Sequence, residues 1–168
     1  PAWCDALVEE QDRWLVLGQG PERADRDPEG YSHELALTSI EDLLAAAEDS
    51  EPAPPGAVLM RRTRPTRLLA VVHDLERHPT VQPEWVGQAL ETIMRLVARA
   101  GMRGIALPIL GGQSRSRDVE TFAELLADAL WSAGPARLRI ALLAEPGLTG
   151  HIAATMRETI PDLHVETR

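Results

Sequence analysis

The sequence predicts an α/β protein of three layers, an α/β/α sandwich in which helices cover both faces of a mixed, mostly parallel sheet. Short apolar runs recur along the chain, and from residue 67 onward amphipathic helical patterns alternate with them. Hydrophobic residues make up 44% and charged residues 26% of the 168 residues, the balance of a globular protein with one core. We therefore expect residues 1–168 to form a single domain.

The first third of the chain has the least regular pattern. The apolar run WLVLG at 14–18 predicts a short buried strand, and the Gly-, Pro- and charge-rich stretch at 19–34 predicts a surface loop. Apolar residues at helical spacing predict a helix over 39–47, which the proline-rich segment at 51–56 must end. Residues 1–54 are thus predicted to be an irregular, divergent part of the domain.

Two strands are predicted next, at 57–60 and 67–73. The second, RLLAVVH, is a nearly unbroken apolar run, as expected of a strand that is covered on both faces. The connection between the two strands is too short for a parallel crossover. They must therefore pair antiparallel or not be neighbours, which is why we expect a mixed sheet.

Helices and strands alternate in the rest of the chain. Pro83 stands where a proline suits the first turn of a helix, and Gly101 stands where a glycine suits its end. The remaining predicted strands lie at 104–110 and 138–144, with a short edge strand at 163–165. One predicted helix has apolar residues from 119 to 130 on one side and runs to 134–135, and a last helix is marked by apolar residues from 148 to 156 and stopped by Pro161. Strands that alternate with helices in this way predict parallel neighbours.

The part of the chain from 55 to 145 carries a characteristic order of segments. The segment PGAVLM at 55–60 precedes the strand LAVVHD at 69–74, which ends in a histidine, and a long helix follows at 83–101. The strand of MRGIALPILGG at 102–112 then runs into a glycine loop. Together these segments resemble the macro domain, a fold that usually holds ADP-ribose. The resemblance implies a ligand of the nucleotide type.

The chain departs from that family at one motif. Macro domains that bind ADP-ribose tightly usually carry an Asn-Ala-Ala-Asn-like strand end, whereas this chain contains no asparagine. Before residue 55 the nearest counterpart is LVLGQG at 15–20. Members that remove ADP-ribose from proteins or acetyl groups often depend on that Asn. We therefore expect binding rather than turnover, and the sequence identifies no catalytic residue.

A polar loop between a buried strand and a helix is the main candidate for the binding site. Its residues are Gly111, Gly112, Gln113, Ser114 and Arg115. Glycines allow the backbone to approach a ligand closely, free N–H groups at a helix start attract anions, and an arginine can contact phosphate. The loop is therefore predicted to hold a diphosphate. The alternative is an ordinary strand-to-helix connection with a solvated arginine.

A second, weaker candidate is the turn formed by Gly18, Gln19 and Gly20. Two glycines after a predicted strand suit a phosphate turn, and these residues could face the glycine loop across a cleft. However, a third glycine is missing and no helix follows directly. A plain surface turn is the alternative interpretation.

Other catalytic and metal sites have little support. His73 and His78 lie five residues apart across a predicted strand end, and no cysteine or acidic pair completes a metal site. We therefore predict no metal and no cofactor, and expect His73 to be half-buried and bonded to the backbone. Ser114 lacks the Gly-x-Ser-x-Gly turn of a hydrolase triad.

Charge and composition limit the partners. The net charge of −9 disfavours binding to nucleic acid, and no apolar run is long enough to cross a membrane. The single cysteine, Cys4, is expected in a mobile terminus, and the absence of a recognisable signal peptide favours a cytoplasmic location. Trp85 and Trp131 are expected in the core or at an interface, and a homo-oligomer or a protein partner is left open.

Three functions remain open at this point. The first is a domain that binds ADP-ribose or a related nucleotide. The second is an interaction or assembly module with a degenerate pocket, since a fold alone does not determine function. The third is an ADP-ribosyl hydrolase with an atypical site.

Overall fold

Five strands form one sheet in the computed structural model of the chain, which describes residues 4–15, 52–111, 116–135, 137–143 and 149–160. Within these ranges the strands are β1 (Ala6–Asp12), β2 (Val58–Arg61), β3 (Thr66–His73), β4 (Gly104–Pro108) and β5 (Arg139–Leu143). The helices are α1 (Pro83–Ala100), α2 (Ser116–Ala133) and α3 (Thr149–Thr159). The sheet has the order β2-β3-β1-β4-β5.

The sheet is mixed, as the sequence predicts. Strands β3, β1, β4 and β5 are parallel to their neighbours, whereas β2 pairs antiparallel with β3. The short connection between β2 and β3 therefore forms a hairpin rather than a crossover. The predicted helix at 39–47 and the predicted edge strand at 163–165 lie outside the described residues.

The position of the central strand β1 differs from the predicted one. The sequence predicts a strand at 14–18, but Trp14 and Leu15 lie in the turn that follows β1, with a φ of 60° at Leu15. Only the first half of β1 is apolar, and its second half, Glu9–Asp12, reads as an exposed polar segment. Residues 16–18 lie outside the described part of the chain.

The beginning of the described chain is fixed to the sheet rather than mobile. The Asp5 amide donates to the Gly104 carbonyl at 2.8 Å, and the Cys4 thiol donates to the Ala6 carbonyl at 2.8 Å. The Asp5 carboxylate accepts from the amides of Arg103 and Gly104 at 2.7 and 3.1 Å. These bonds join the start of β1 to the start of β4.

The core lies between one face of the sheet and the three helices. Ala6 and Val8 of β1 point to this face, and the apolar stripes of α1, α2 and α3 pack onto it. Its largest fully buried side chains are Leu68, Leu90, Ile93, Met94, Ile105, Leu107, Phe122, Leu126 and Met156. Each contributes about 1.5–3 kcal/mol by leaving water, so this face supplies much of the folding free energy.

The opposite face of the sheet is also buried. Leu69 and Val71 of β3 and Ala106 of β4 alternate with the helix-covered residues, and all three are at most 2% exposed. A parallel sheet with both faces covered is the arrangement that the unbroken apolar run of β3 predicts. The architecture is therefore α/β, with a mixed, mostly parallel sheet.

The boundaries of α1 follow from the residues at its ends. Pro83 begins the helix, and Gly101 ends it in the left-handed conformation with a φ of 64°. The amides of Gly101 and Met102 then donate to the carbonyls of Ala98 and Val97. None of the helices in the described ranges combines the length and the apolar character that crossing a membrane requires.

Candidate functional site at the carboxyl edge of the sheet

The carboxyl ends of β1, β3 and β4 meet at one edge of the sheet, because these strands are parallel. Polar side chains follow at each of these strand ends. We define the carboxyl-edge site as Glu10, Asp12, His73, Asp74 and Gly111. Open α/β sheets bind their ligands at this edge.

Glu10 joins three elements of the site. In the two-residue period of β1 it follows Ala6 and Val8 on the helix-covered face. Its Oε1 accepts a short hydrogen bond from the Gly111 amide, and its Oε2 lies 3.3 Å from Nε2 of His73. A carboxylate therefore stands where the apolar face reaches the edge, and it links β1 to β3 and to the loop after β4.

A side chain at Gly111 would be strained and crowded in this conformation. Its φ is +72°, and a Cβ built there would lie 2.7 Å from Cγ1 of Val81 and 3.0 Å from Cγ2 of Val86. The loop backbone is thus pressed against α1 and the segment before it. A glycine at this position therefore serves the packing of the loop against α1, and the predicted close approach to a ligand stays a prediction.

The amide of Gly111 is not free, although the sequence analysis expected the loop to offer open N–H groups. Its hydrogen is donated to Glu10. Gly111 is the one predicted binding residue that the structure describes. The others lie outside the described residues: Gly112, Gln113, Ser114, Arg115, Gly18, Gln19 and Gly20.

Asp74 holds the segment after β3 together. It is 1% exposed, and its Oδ2 lies 3.3 Å from Nη1 of Arg13 and 3.2 Å from Nε of Arg77. Its Oδ1 accepts from the amide of Glu76 at 3.1 Å. A buried carboxylate needs such partners, because an unpaired charge away from water is costly. Asp74 is therefore a structural anchor of the site.

Asp12 fixes the turn after β1 in a similar way. It is fully buried, and its Oδ1 accepts from the Trp14 amide at 2.6 Å. The amide of Arg13 donates to the His73 carbonyl at 3.2 Å, so the turn stays paired with the end of β3. Backbone and side-chain bonds together place Arg13 beside Asp74.

Two buried polar atoms near this edge have no partner within the described part of the chain. They are Oε1 of Gln11, whose residue is 3% exposed, and Nε of Arg13. An unsatisfied buried group costs about 1–3 kcal/mol. A ligand that offered a donor to Gln11 or an acceptor to Arg13 would recover part of that free energy.

His73 is half-buried, as predicted, but its side chain contacts the carboxylate of Glu10 rather than the backbone. That side chain is 17% exposed. Among the described residues no group of histidine, cysteine and acidic side chains is arranged to hold a metal ion. The contact between His73 and Glu10 joins β3 to β1.

A cavity of about 540 Å³ lies at the opposite edge of the sheet. Its lining consists of Asp5, Arg103, Arg137, Leu138 and Arg139, and we call it the amino-edge pocket. These residues precede or begin β1, β4 and β5. The cavity is therefore far from the strand ends at which α/β sheets bind ligands.

Solved structures identify the architecture. No model of a known protein family and no curated protein matches the sequence. A point mutant of the Oceanobacillus iheyensis macrodomain superposes with a TM-score of 0.62 at 15% identity, over 96% of this chain and 84% of that one. The macro domain of GDAP2 gives 0.60 at 10% identity, over 96% and 80%. The chain has the macrodomain fold.

Further macrodomains extend the comparison. The macrodomain of Thermus aquaticus DarG has a TM-score of 0.58 at 19% identity, over 85% of this chain and 91% of that one. The Oceanobacillus iheyensis macrodomain has been solved with ADP, and a second point mutant of it has been solved with ADPR.

One strand lies elsewhere than the sequence analysis predicted. The strand predicted at 14–18 lies earlier, as β1, and it ends in Glu9-Glu10-Gln11-Asp12. The signal was present in DALVEEQD, where three apolar residues precede four polar ones. The polar half of β1 resembles a solvated segment, so the sequence pattern does not distinguish Glu10 as a site residue.

Proposed function

We propose that the chain is a divergent macrodomain that binds ADP-ribose or a related nucleotide at the carboxyl edge of its sheet, without strong catalytic activity. The observation that carries the proposal is the position of Gly111. It has a positive φ, packs against Val81 and Val86, and begins the loop after β4 within a macrodomain fold.

The proposed ligand would lie along the loop that begins at Gly111. Gly111, Gly112, Gln113, Ser114 and Arg115 would hold its diphosphate, and Gly18, Gln19 and Gly20 would face them. The buried Nε of Arg13 supports an anionic ligand, because it is a donor without a partner among the described residues. The Oceanobacillus iheyensis macrodomains with ADPR and ADP support a small nucleotide as the ligand class.

Weak catalysis follows from the partners of the carboxylates. A general base needs an oxygen that can reach the substrate. Both oxygens of Glu10 and both oxygens of Asp74 are within bonding distance of donors of the protein, and Oδ1 of Asp12 accepts from Trp14. These contacts of the three carboxyl-edge carboxylates support the proposal of binding without strong catalytic activity.

Chemical unfolding in the presence of ligand tests the proposal. Ligand at 100 times its Kd should raise the free energy of unfolding by about 2.7 kcal/mol. We expect ADP-ribose and ADP to stabilise the chain and ribose 5-phosphate to do so less, because it lacks the diphosphate. The absence of stabilisation by millimolar ADP-ribose and ADP would contradict the proposal. An ADP-ribosylated peptide should remain intact when it is incubated with the folded chain in the absence of denaturant.

An interaction module with a degenerate pocket is the second candidate. It is favoured by the bond between Glu10 and Gly111, which occupies a predicted donor, and by Trp131 on α2, which is 95% exposed. An exposed tryptophan is typical of an interface anchor. Sedimentation velocity of the wild type and of Trp131→Ser would support this function if the wild type associates and the variant does not.

A further inference from the structure

We infer that Glu10 is an internal competitor for the anionic group of the ligand, so that its carboxylate sets the nucleotide affinity of the carboxyl-edge site. The inference rests on the proposed function and deepens it. The observation behind it is that Glu10 already accepts the hydrogen of the Gly111 amide.

Glu10 and the ligand compete because the Gly111 amide has only one hydrogen to donate. A backbone amide carries a single hydrogen, so the Gly111 amide can serve one acceptor well. Glu10 and a phosphate oxygen at that amide are therefore alternatives. A phosphate that remained next to the Glu10 carboxylate would also experience like-charge repulsion. Ligand binding thus requires the Glu10 side chain to leave.

The strand geometry holds Glu10 in this position. Glu10 lies in register opposite Ala70 of β3, inside the regular part of the pairing, and the register shifts only after Gln11. Its second oxygen lies 3.3 Å from His73. Displacement of the carboxylate breaks the contacts to both Gly111 and His73.

Displacement is nevertheless possible without unfolding. The side chain of Glu10 is 29% exposed, in contrast to the fully buried Asp12 and to Asp74 at 1%. Rotation of its side chain can carry the carboxylate into water. Glu10 therefore lowers the affinity of the site for the ligand without blocking the site permanently.

The test compares three variants by calorimetric titration with ADP-ribose and with inorganic pyrophosphate. Glu10→Ala removes the competing acceptor, and we expect a Kd lower by about tenfold or more, the effect of one charge-assisted hydrogen bond. Glu10→Gln keeps an acceptor without the charge and should give a smaller gain. Both variants should bind pyrophosphate more tightly than the wild type.

Glu9→Gln is the matched control. Glu9 adjoins Glu10 but points to the other face of β1, where it lies 3.5 Å from Nε of Arg67. The substitution removes the same charge from the same strand without touching Gly111. Its Kd should stay within about twofold of the wild type, because only the general field changes.

The outcomes separate the two claims. If the wild type binds and neither Glu10 variant binds more tightly, the competition is wrong and the proposed function stands. If only the Glu10 variants bind, the competition stands and the proposed function fails for the wild type. If none of the proteins binds either ligand, both are wrong. Should Glu10→Ala unfold, Glu10→Gln decides between these outcomes.

Discussion

The two edges of the same sheet differ in the charges they present. At the carboxyl edge the carboxylates of Glu10, Asp12 and Asp74 lie near the strand ends, and two arginines contact Asp74. The amino-edge pocket is lined by three arginines, and its one carboxylate, that of Asp5, accepts from two backbone amides. Side-chain charge alone would therefore place an anionic ligand at the amino edge.

The backbone amides, in contrast, favour an anionic ligand at the carboxyl edge. Helices α1 and α2 begin after the carboxyl ends of β3 and β4, so their N-terminal amides point toward the carboxyl edge and favour negative charge there. The carboxylates of this edge accept hydrogen bonds from loop amides, those of Gly111, Glu76 and Trp14. On our proposal, the fold keeps an anion-binding geometry at this edge while the Glu10 side chain competes for a donor.

The largest effect on stability is expected from the glycine at the carboxyl edge. Gly111→Ala adds a Cβ in a left-handed conformation within 2.7 Å of Val81, and should lower the free energy of unfolding by about 3 kcal/mol in urea denaturation. Gly101→Ala is the control. Its φ is +64° but nothing lies within 4 Å of the added Cβ, so about 1 kcal/mol is expected. Equal losses would contradict the close contact at Gly111.

The buried anchor of the carboxyl edge comes next. Asp74→Asn removes the charge that pairs with Arg13 and Arg77, and should lower the free energy of unfolding by about 2 kcal/mol. Glu91→Gln breaks the exposed pair with Arg95, at 3.7 Å, and should cost less than about 0.5 kcal/mol. A loss at Asp74 as small as that at Glu91 would refute its role as an anchor.

A substitution at the amino edge should lower the free energy of unfolding by less than Asp74→Asn does. Asp5→Ala removes an exposed acceptor of the Arg103 and Gly104 amides, and about 1 kcal/mol of stability should be lost. Asp5→Asn keeps an acceptor oxygen and should retain part of that stability. If Asp5→Ala lost more stability than Asp74→Asn, the amino edge would contribute more to stability than the carboxyl edge, contrary to this prediction.

The smallest effect concerns the arginines of the amino-edge pocket. We expect the double variant Arg103→Ala and Arg139→Ala to keep the stabilisation by ADP-ribose within about 0.5 kcal/mol of the wild type. Loss of that stabilisation would mean that the ligand binds at the amino edge. The measurement is the same urea titration with and without ligand.

Periodicity predicted most of the regular structure. The apolar runs and helical stripes from residue 57 onward gave β2, β3, α1, β4, α2, β5 and α3, with boundaries close to those observed. The antiparallel hairpin followed from the length of its connection. These elements were predictable because burial imposes a period of two or 3.6 residues on their sequence.

The centre of the sheet and of the site was not predictable in the same way. The second half of β1 is polar, so the apolar strand pattern disappears where the carboxyl-edge residues begin. The contacts of Glu10 span 101 residues to Gly111 and 63 residues to His73, and no local pattern records them. Tertiary pairing alone brings these residues together.

An amide-resolved NMR titration of the wild-type chain with ADP-ribose tests the central claim most directly. We predict that the Gly111 amide, which exchanges the Glu10 carboxylate for the ligand, moves among the most, while the amides of Arg103 and Gly104 at the amino edge stay in place. Movement of Arg103 and Gly104 with a stationary Gly111 would contradict the account.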